Sequence, residues 1–315
     1  MTIMVIKPGL QSTLQGAPFS GHRHLGMPAA GAADCLALAL ANHLVGNEPD
    51  AIAIEITLDD TRFAFACSTV IALTGAAGFL RLNDEGRALH APLMVKPGDE
   101  IHIGPALMGC RSYLAVSGTL DAQFLLGGQS TYLAAGLGGF HGRALKADDI
   151  LDWRPAKSKP ALHRKTPRKL QPVISDKYIL RVTEGPEHGL LSATSRQLFY
   201  EKKHKVGSRA DRMGLCLQGT VLATTNGSQM KSAPVFTGTM QCPPDGEPFL
   251  LGPDAQTTGG YPRIAQVIRA DRHLIGQLRP GSEIQFVRTS PERAAEIYRQ
   301  KQLLLKPWLG TINLW

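Results

Sequence analysis

Short alternations of apolar and polar residues, cut by tight turns, dominate this chain. In Val95-Lys96-Pro97-Gly98-Asp99-Glu100-Ile101-His102-Ile103 a turn leads into a strand that places Ile101 and Ile103 on one face. Leu278-Arg279-Pro280-Gly281-Ser282-Glu283-Ile284-Gln285-Phe286-Val287 repeats the pattern with Ile284 and Phe286, and Leu145-Lys146-Ala147-Asp148-Asp149-Ile150-Leu151 is a looser copy. The run from Phe79 to Leu89, with Asn83-Asp84-Glu85-Gly86 at its middle, predicts a hairpin. Helical periods are few. Asp34 is placed to cap a helix from Cys35 to Val45, with Leu36, Leu40 and Leu44 on one face and Gly46 as its stop. Ser290-Pro291 opens a second helix running to Leu304, and Leu190 to Tyr200 predicts a third. Many short strands with regular turns predict a mainly β chain of two β-rich domains with a few short helices, rather than a parallel α/β sheet.

The 315 residues are enough for two ordinary domains, and 33 glycines with 21 prolines suit many tight turns. The net charge of +8 is unevenly placed. Residues 1–153 carry nine Lys and Arg against fourteen Asp and Glu, whereas residues 154–315 carry 25 against twelve. Between Arg154 and Lys177, eight basic residues meet a single acid among several prolines. This composition predicts an exposed basic linker over 154–177, between an N-terminal domain over 1–153 and a second over 178–290, with a C-terminal helix and tail over 291–315. A basic tether explains the charge without a nucleic-acid face, because no aromatic residues interleave the bases. The apolar stretch Leu36 to Val45 is too short for a membrane span and is broken by Asn42 and His43, and the opening residues lack a signal-peptide pattern. A cytoplasmic location is the expectation. The five widely spaced cysteines, with no Cys-x-x-Cys, predict buried unreactive thiols and no structural zinc.

Several chemistries lack their motifs. There is no Gly-x-x-x-x-Gly-Lys-Ser/Thr loop, no Gly-x-Ser-x-Gly elbow and no His-Glu-x-x-His. The run Gly136-Leu137-Gly138-Gly139-Phe140-His141-Gly142 misses the dinucleotide spacing, since His141 stands where a third glycine belongs. His22 and His24 are expected on one face of a strand, but with no third ligand indicated they predict solvent-exposed side chains and no metal site.

Three stretches carry candidate chemistry. In Gln256-Thr257-Thr258-Gly259-Gly260-Tyr261-Pro262 the paired glycines allow close backbone approach. The amide, two hydroxyls and phenol can both donate and accept, which suits an amide, lactam or ureido ligand. The same run also reads as a glycine bulge with a proline-stiffened turn. Arg212 could clamp a carboxylate, bicarbonate or phosphate, with Asp211 as a base or as its orienting partner; a surface ion pair beside a turn is the plainer reading. Asp34 reads first as a helix cap, and Asn42, a poor helix former, as a side chain bonded across to a loop.

At these blocks the chain resembles the allophanate hydrolase subunit 2 family, also called biotin-dependent carboxyltransferase-like. The resemblance runs through Gly26–Asn47, Tyr113–Gly118, Ser130–Leu133, Gly136–Leu145, Asp211–Gly214 and Pro243–Pro262. It implies a cyclophilin-like β-barrel in the second half. It is strongest to the branch found in bacterial ATP-dependent 5-oxoprolinase, which implies one part of a heteromeric hydrolase that opens 5-oxo-L-proline to L-glutamate with ATP and water. The implied partners are the A-type and B-type subunits of that enzyme, the B-type being similar to allophanate hydrolase subunit 1. Two other roles within the family are a carboxyltransferase module of the urea carboxylase kind and a non-catalytic regulator that binds a kinase-inhibitor-like partner. The family's usual Gln-Asp-x-Gly-Arg is Gln15-Gly16-Ala17-Pro18-Phe19 here, without the Asp and Arg, so that stretch is given no role. Under this resemblance Gln256, Thr257, Thr258, Gly259 and Gly260 hold substrate, while Tyr261, Arg212 and Asp211 are the catalytic candidates. No biotin-carrier Met-Lys-Met occurs, since Met230-Lys231-Ser232 lacks the second methionine; covalent biotin is not expected on this chain.

Overall fold

Three turns of one build organise the strands, as the sequence echo predicts. In the computed structural model, which describes residues 1–156, 162–225 and 230–314, the turn positions Gly98, Asp148 and Gly281 have φ of 85°, 68° and 92°. Glycine takes this left-handed conformation without a Cβ penalty, and aspartate is among the few residues that tolerate it. The residue that follows closes each turn. Asp99 accepts from the Lys96 amide at 2.7 Å, Asp149 from Lys146 at 2.7 Å, and Ser282 from Arg279 at 3.2 Å. The hairpin forms where expected. Strands Leu80–Leu82 and Glu85–Arg87 are joined through Asn83 and Asp84, both at positive φ, as a two-residue turn of matching twist requires.

Two compact units divide the chain. One comprises Met1–Ser20, Ala30–Ile174 and Leu305–Ile312, the other Gly21–Ala29, Ser175–Leu304 and Asn313–Trp315. The first holds a seven-stranded sheet in the order Gly118–Leu120, Ile150–Pro155, Thr2–Lys7, Thr61–Phe65, Glu100–Ile103, Leu80–Leu82, Glu85–Arg87. Its second sheet runs Gln11–Gln15, Ala53–Thr57, Arg111–Val116, Thr69–Gly75, Pro92–Val95. Alternation along these strands sends Ile3, Val5, Phe63, Phe65, Ile101 and Ile103 into a core shared with Ile54, Leu73 and Leu114. Helix α1 (Cys35–Leu44) packs against the second sheet through its strands Thr69–Gly75 and Arg111–Val116.

The second unit is a closed seven-stranded barrel. Lys177–Glu184, Arg263–Val267, Thr239–Gln241, Phe249–Leu251, Gly214–Gln218, His204–Ala210 and Glu283–Arg288 follow one another around it. Closure comes from a parallel pairing of the last strand with the first, Lys177 against Glu283 through Val182 against Arg288. Leu180, Val182, Leu217, Met240, Leu250, Val267, Ile284 and Phe286 fill its interior. Helix α2 (Ala193–Glu201), capped by Ser192, packs on the strand Glu283–Arg288. Helix α3 (Pro291–Leu309) runs five residues past the expected end, because Leu305 and Leu309 are buried and packing carries it through Pro307.

Three expectations need correction. The described part of 154–177 exposes all six of its Lys and Arg side chains, as expected, but it is anchored along its length and is not a free tether. Arg154 and Pro155 close the strand Ile150–Pro155, the Thr166 amide donates to the His90 carbonyl at 3.0 Å, and Leu170 is buried. The rest of the predicted linker, residues 157–161, lies outside the described residues. Residues 21–29, placed by sequence in the N-terminal domain, belong to the barrel unit, where the Arg23 guanidinium donates to the Val235 carbonyl and lies over the Phe236 ring. His22 precedes and His24 lies within a 3-10 turn, Arg23–Leu25, and not a strand. Four cysteines are buried, as expected, with Cys67 intermediate. No helix among the described residues is long and apolar enough to cross a membrane.

Candidate functional site

The Gln256–Pro262 run forms one arm of a two-stranded ribbon on the barrel unit. Thr258 and Gly259 pair with Pro234 and Ala233, the Val235 amide donates to the Thr257 carbonyl at 3.1 Å, and Met230 donates to Gly260 at 2.9 Å. Gln241, on the barrel strand Thr239–Gln241 and only 2% exposed, supports the run from beneath. Its amide nitrogen donates to the Tyr261 carbonyl at 3.3 Å, and its amide oxygen accepts from Gln256 Nε2 at 3.3 Å. One buried amide therefore holds both ends of the motif. A Cβ at Gly259 would stand 2.4 Å from Gln241 Nε2, so close approach is the reason for glycine there.

Arg263 ties down the other arm. Its guanidinium donates to Glu187 at 2.8 and 2.6 Å and to the Pro234 carbonyl at 2.9 Å, and its own amide donates to Glu187 at 3.0 Å. Hydrogen bonds from Arg263 hold the Glu187 carboxyl below the usual carboxylate range against the opposing effect of burial. With the backbone fixed on both sides, Gln256 and Thr258 are exposed, Thr257 is half-buried and Tyr261 is 40% exposed. These neutral groups offer an amide oxygen, hydroxyls and a phenol without a net charge.

Arg212 and Asp211 are close in the fold to this motif but play different parts from those expected. Arg212 is 4% exposed, and its fork meets Asp254 through Nε–Oδ2 and Nη2–Oδ1, both at 2.8 Å. The carboxylate it clamps is thus internal. Asp254 also donates its amide to the Arg212 carbonyl at 3.0 Å, so the pair fixes the loop two residues ahead of Gln256. Asp211 accepts from the amides of Met213 at 2.7 Å and Gly214 at 3.1 Å, closing the turn between two barrel strands. Its carboxylate is that of a turn-former.

Asp34 and Asn42 lie in the other unit, where each is structural. Asp34 caps α1 by accepting from the Ala37 amide at 2.9 Å, and its own amide donates to the Tyr113 hydroxyl at 2.7 Å. Tyr113 donates in turn to Glu55 at 2.7 Å, and burial pushes this phenol well above its ordinary pKa, with Glu55 adding to the shift. Asn42 bonds across to the Ala51 carbonyl at 2.8 Å, as its place in a helix suggests. No group of His, Cys, Asp and Glu among the described residues could hold a metal ion. Gln241, Arg263 and Glu187 escaped sequence reasoning, because each acts through a partner at least 15 residues away.

Comparison with known proteins agrees with this architecture. Over 300 residues the chain is 35% identical to the C-type subunit of Escherichia coli 5-oxoprolinase, covering 95% of each chain. It is 33% identical to urea amidolyase of Saccharomyces cerevisiae over 98% of this chain but only 18% of that one. The crystal structure of Kluyveromyces lactis urea carboxylase superposes with a TM-score of 0.91 at 29% identity, covering 99% of this chain and 30% of that one. The model of the carboxyltransferase domain, subdomains A and B, matches residues 25–288, a span that takes in the Asp34 cap, the Arg212–Asp254 loop and the whole Gln256–Tyr261 ribbon, and the chain belongs to that family.

Proposed function

We propose that this chain is one component of an ATP-dependent 5-oxoprolinase, acting with A-type and B-type partner subunits to open 5-oxo-L-proline to L-glutamate. The observation that carries the reading is its end-to-end likeness to the Escherichia coli protein, with 95% of both chains aligned. The ribbon supports it chemically. A lactam presents one N–H and one carbonyl, and Gln256, Thr257, Thr258 and Tyr261 are neutral groups able to meet both. Arg212 and Arg263 are each engaged by an internal carboxylate, so recognition of the substrate's carboxylate is assigned to other groups of the complex. An unstrained lactam is a poor electrophile; phosphorylation of its carbonyl oxygen by ATP activates the carbon toward water. The C–N bond then breaks as the ring nitrogen takes a proton, and a second water hydrolyses the resulting acyl phosphate to glutamate and phosphate. This chain's share is to hold and orient the ring, with Tyr261 as a hydrogen-bond donor.

The test mixes this chain with its two partner subunits, 5-oxoproline and ATP, and follows glutamate release with and without avidin. Release that avidin leaves untouched, and that falls in Gln256→Ala and Tyr261→Phe while both variants stay folded, is the expected result. Activity abolished by avidin, or obtained only with urea, bicarbonate and a biotinylated carrier, would replace this reading with a carboxyltransferase. A stable complex with no turnover under either condition would replace it with a binding regulator.

A further inference from the structure

On the first unit an open groove of about 630 Å³ is lined by Asp121, Ala122, Gln123, Gly139, Phe140, His141, Ile150 and Asp152. Its floor is the outward face of the strand Ile150–Pro155, whose alternate residues Leu151 and Trp153 enter the core. Its two walls are braced. The Gln123 amide donates to the Gly139 carbonyl at 2.9 Å, Asp121 to Asp152 at 2.8 Å, and Gly139 to Gln129 at 2.8 Å. Arg143, beside the second wall, is bound bidentately by Asp149 at 2.6 and 2.7 Å and lies over the Phe140 ring. The lining itself contains two carboxylates and no Lys or Arg; Arg154 follows on the same strand face but is outside the lining.

Such a groove favours a cationic group carried on apolar surroundings. The scale of the surface decides what carries it. Asp121, Gln123, His141, Ile150 and Asp152 are all exposed, whereas sites for small molecules enclose most of their ligand. Apolar surface continues beyond the groove at Met4, 43% exposed and directly opposite Ile150 in the sheet. Exposed apolar residues rimmed by charge are the composition of a protein-docking surface. In Saccharomyces cerevisiae urea amidolyase the matching region is 18% of the chain, so the same fold there is joined to much further polypeptide.

We propose that this groove docks a basic polypeptide segment of a partner protein, with an arginine or lysine side chain meeting Asp121 and Asp152 and its apolar neighbours resting on Phe140, Ile150 and Met4. The inference rests on the reading that this chain works within a complex, but its test uses this chain alone. Fluorescence anisotropy would follow a labelled short peptide with two central arginines among leucines, beside a counterpart carrying citrulline, which keeps the shape and removes the charge. The arginine peptide should bind more tightly than the citrulline peptide, and added salt should weaken it, since exposed charges are screened. Asp121→Asn with Asp152→Asn should weaken arginine-peptide binding roughly tenfold. Met4→Ser should weaken both peptides alike. All three positions are exposed, so the variants should melt like the parent. Gln256→Ala should bind the peptide unchanged, which separates failure here from failure of the lactam reading. Equal binding of the citrulline peptide, indifference to the double substitution, or no binding at all would overturn the proposal. So would full competition by ethylguanidinium at the peptide's own concentration, which would make the groove a site for small cations.

Discussion

Replacing Arg212 with methionine decides between two roles for this residue. As a substrate clamp, its loss would cost activity and leave stability intact. As the partner of Asp254, its loss leaves a carboxylate that is 3% exposed without its bidentate guanidinium. Breaking a buried pair from one side costs about 3–5 kcal/mol, because the remaining charge is stranded in a poorly solvating interior. A domain stabilised by roughly 5–15 kcal/mol survives that loss at low temperature but melts on the order of 10 °C earlier. Urea or thermal unfolding followed by circular dichroism measures it. Adding Asp254→Leu to Arg212→Met removes the stranded charge and should recover much of the loss, giving a coupling energy of about 1–3 kcal/mol. Arg212→Met with parental stability within about 0.5 kcal/mol, but with glutamate release abolished, would refute the structural role and restore the clamp.

Three further outcomes follow from the geometry. Gly259→Ala drives a Cβ toward Gln241 Nε2 and should lower activity of the reconstituted complex more than Gly86→Ala, whose surroundings are open within 4 Å; activity assays beside melting curves read this. Asn42→Ala removes the bond to Ala51 while improving helix propensity, for a net loss of about 1–2 kcal/mol in denaturant titration. His90, lowered to about 4 chiefly by burial, is held neutral in the fold, so the unfolded chain binds the extra proton between pH 6.5 and 4. Stability from this group is therefore complete above about pH 6.5 and declines toward pH 4, by at most roughly 3 kcal/mol. His90→Gln should flatten that stretch of the pH–stability curve, and an unchanged slope would count against it.

What the sequence made legible was local. Asn83-Asp84 specified a two-residue hairpin because few residues tolerate positive φ, and Asp34 specified a helix start because its carboxylate reaches the Ala37 amide three residues on. The Lys-Pro-Gly-Asp and Arg-Pro-Gly-Ser turns announced the strands that follow them for the same reason. The misplaced features all depend on distant partners. Nothing near Arg23 points to Val235, 212 residues away, which draws residues 21–29 into the barrel unit. Arg212 looked available because its anion, Asp254, sits 42 residues downstream behind an ordinary Gly-Pro turn. The candidate site divides along the same line. Its outward polar residues were readable because Gln-Thr-Thr-Gly-Gly-Tyr is dense in polar groups, whereas its supports were not. Yet one support left a trace, since an invading side chain is a reason for glycine. Gly259 stands where the Gln241 amide occupies the space a Cβ would take, so the glycine was read as room for a ligand when part of that room belongs to the protein's own glutamine. That shifts the expected contact surface from the Gly259 backbone toward Gln256, Thr258 and Tyr261, whose side chains remain exposed or partly exposed once Gln241 has fixed the ribbon beneath them.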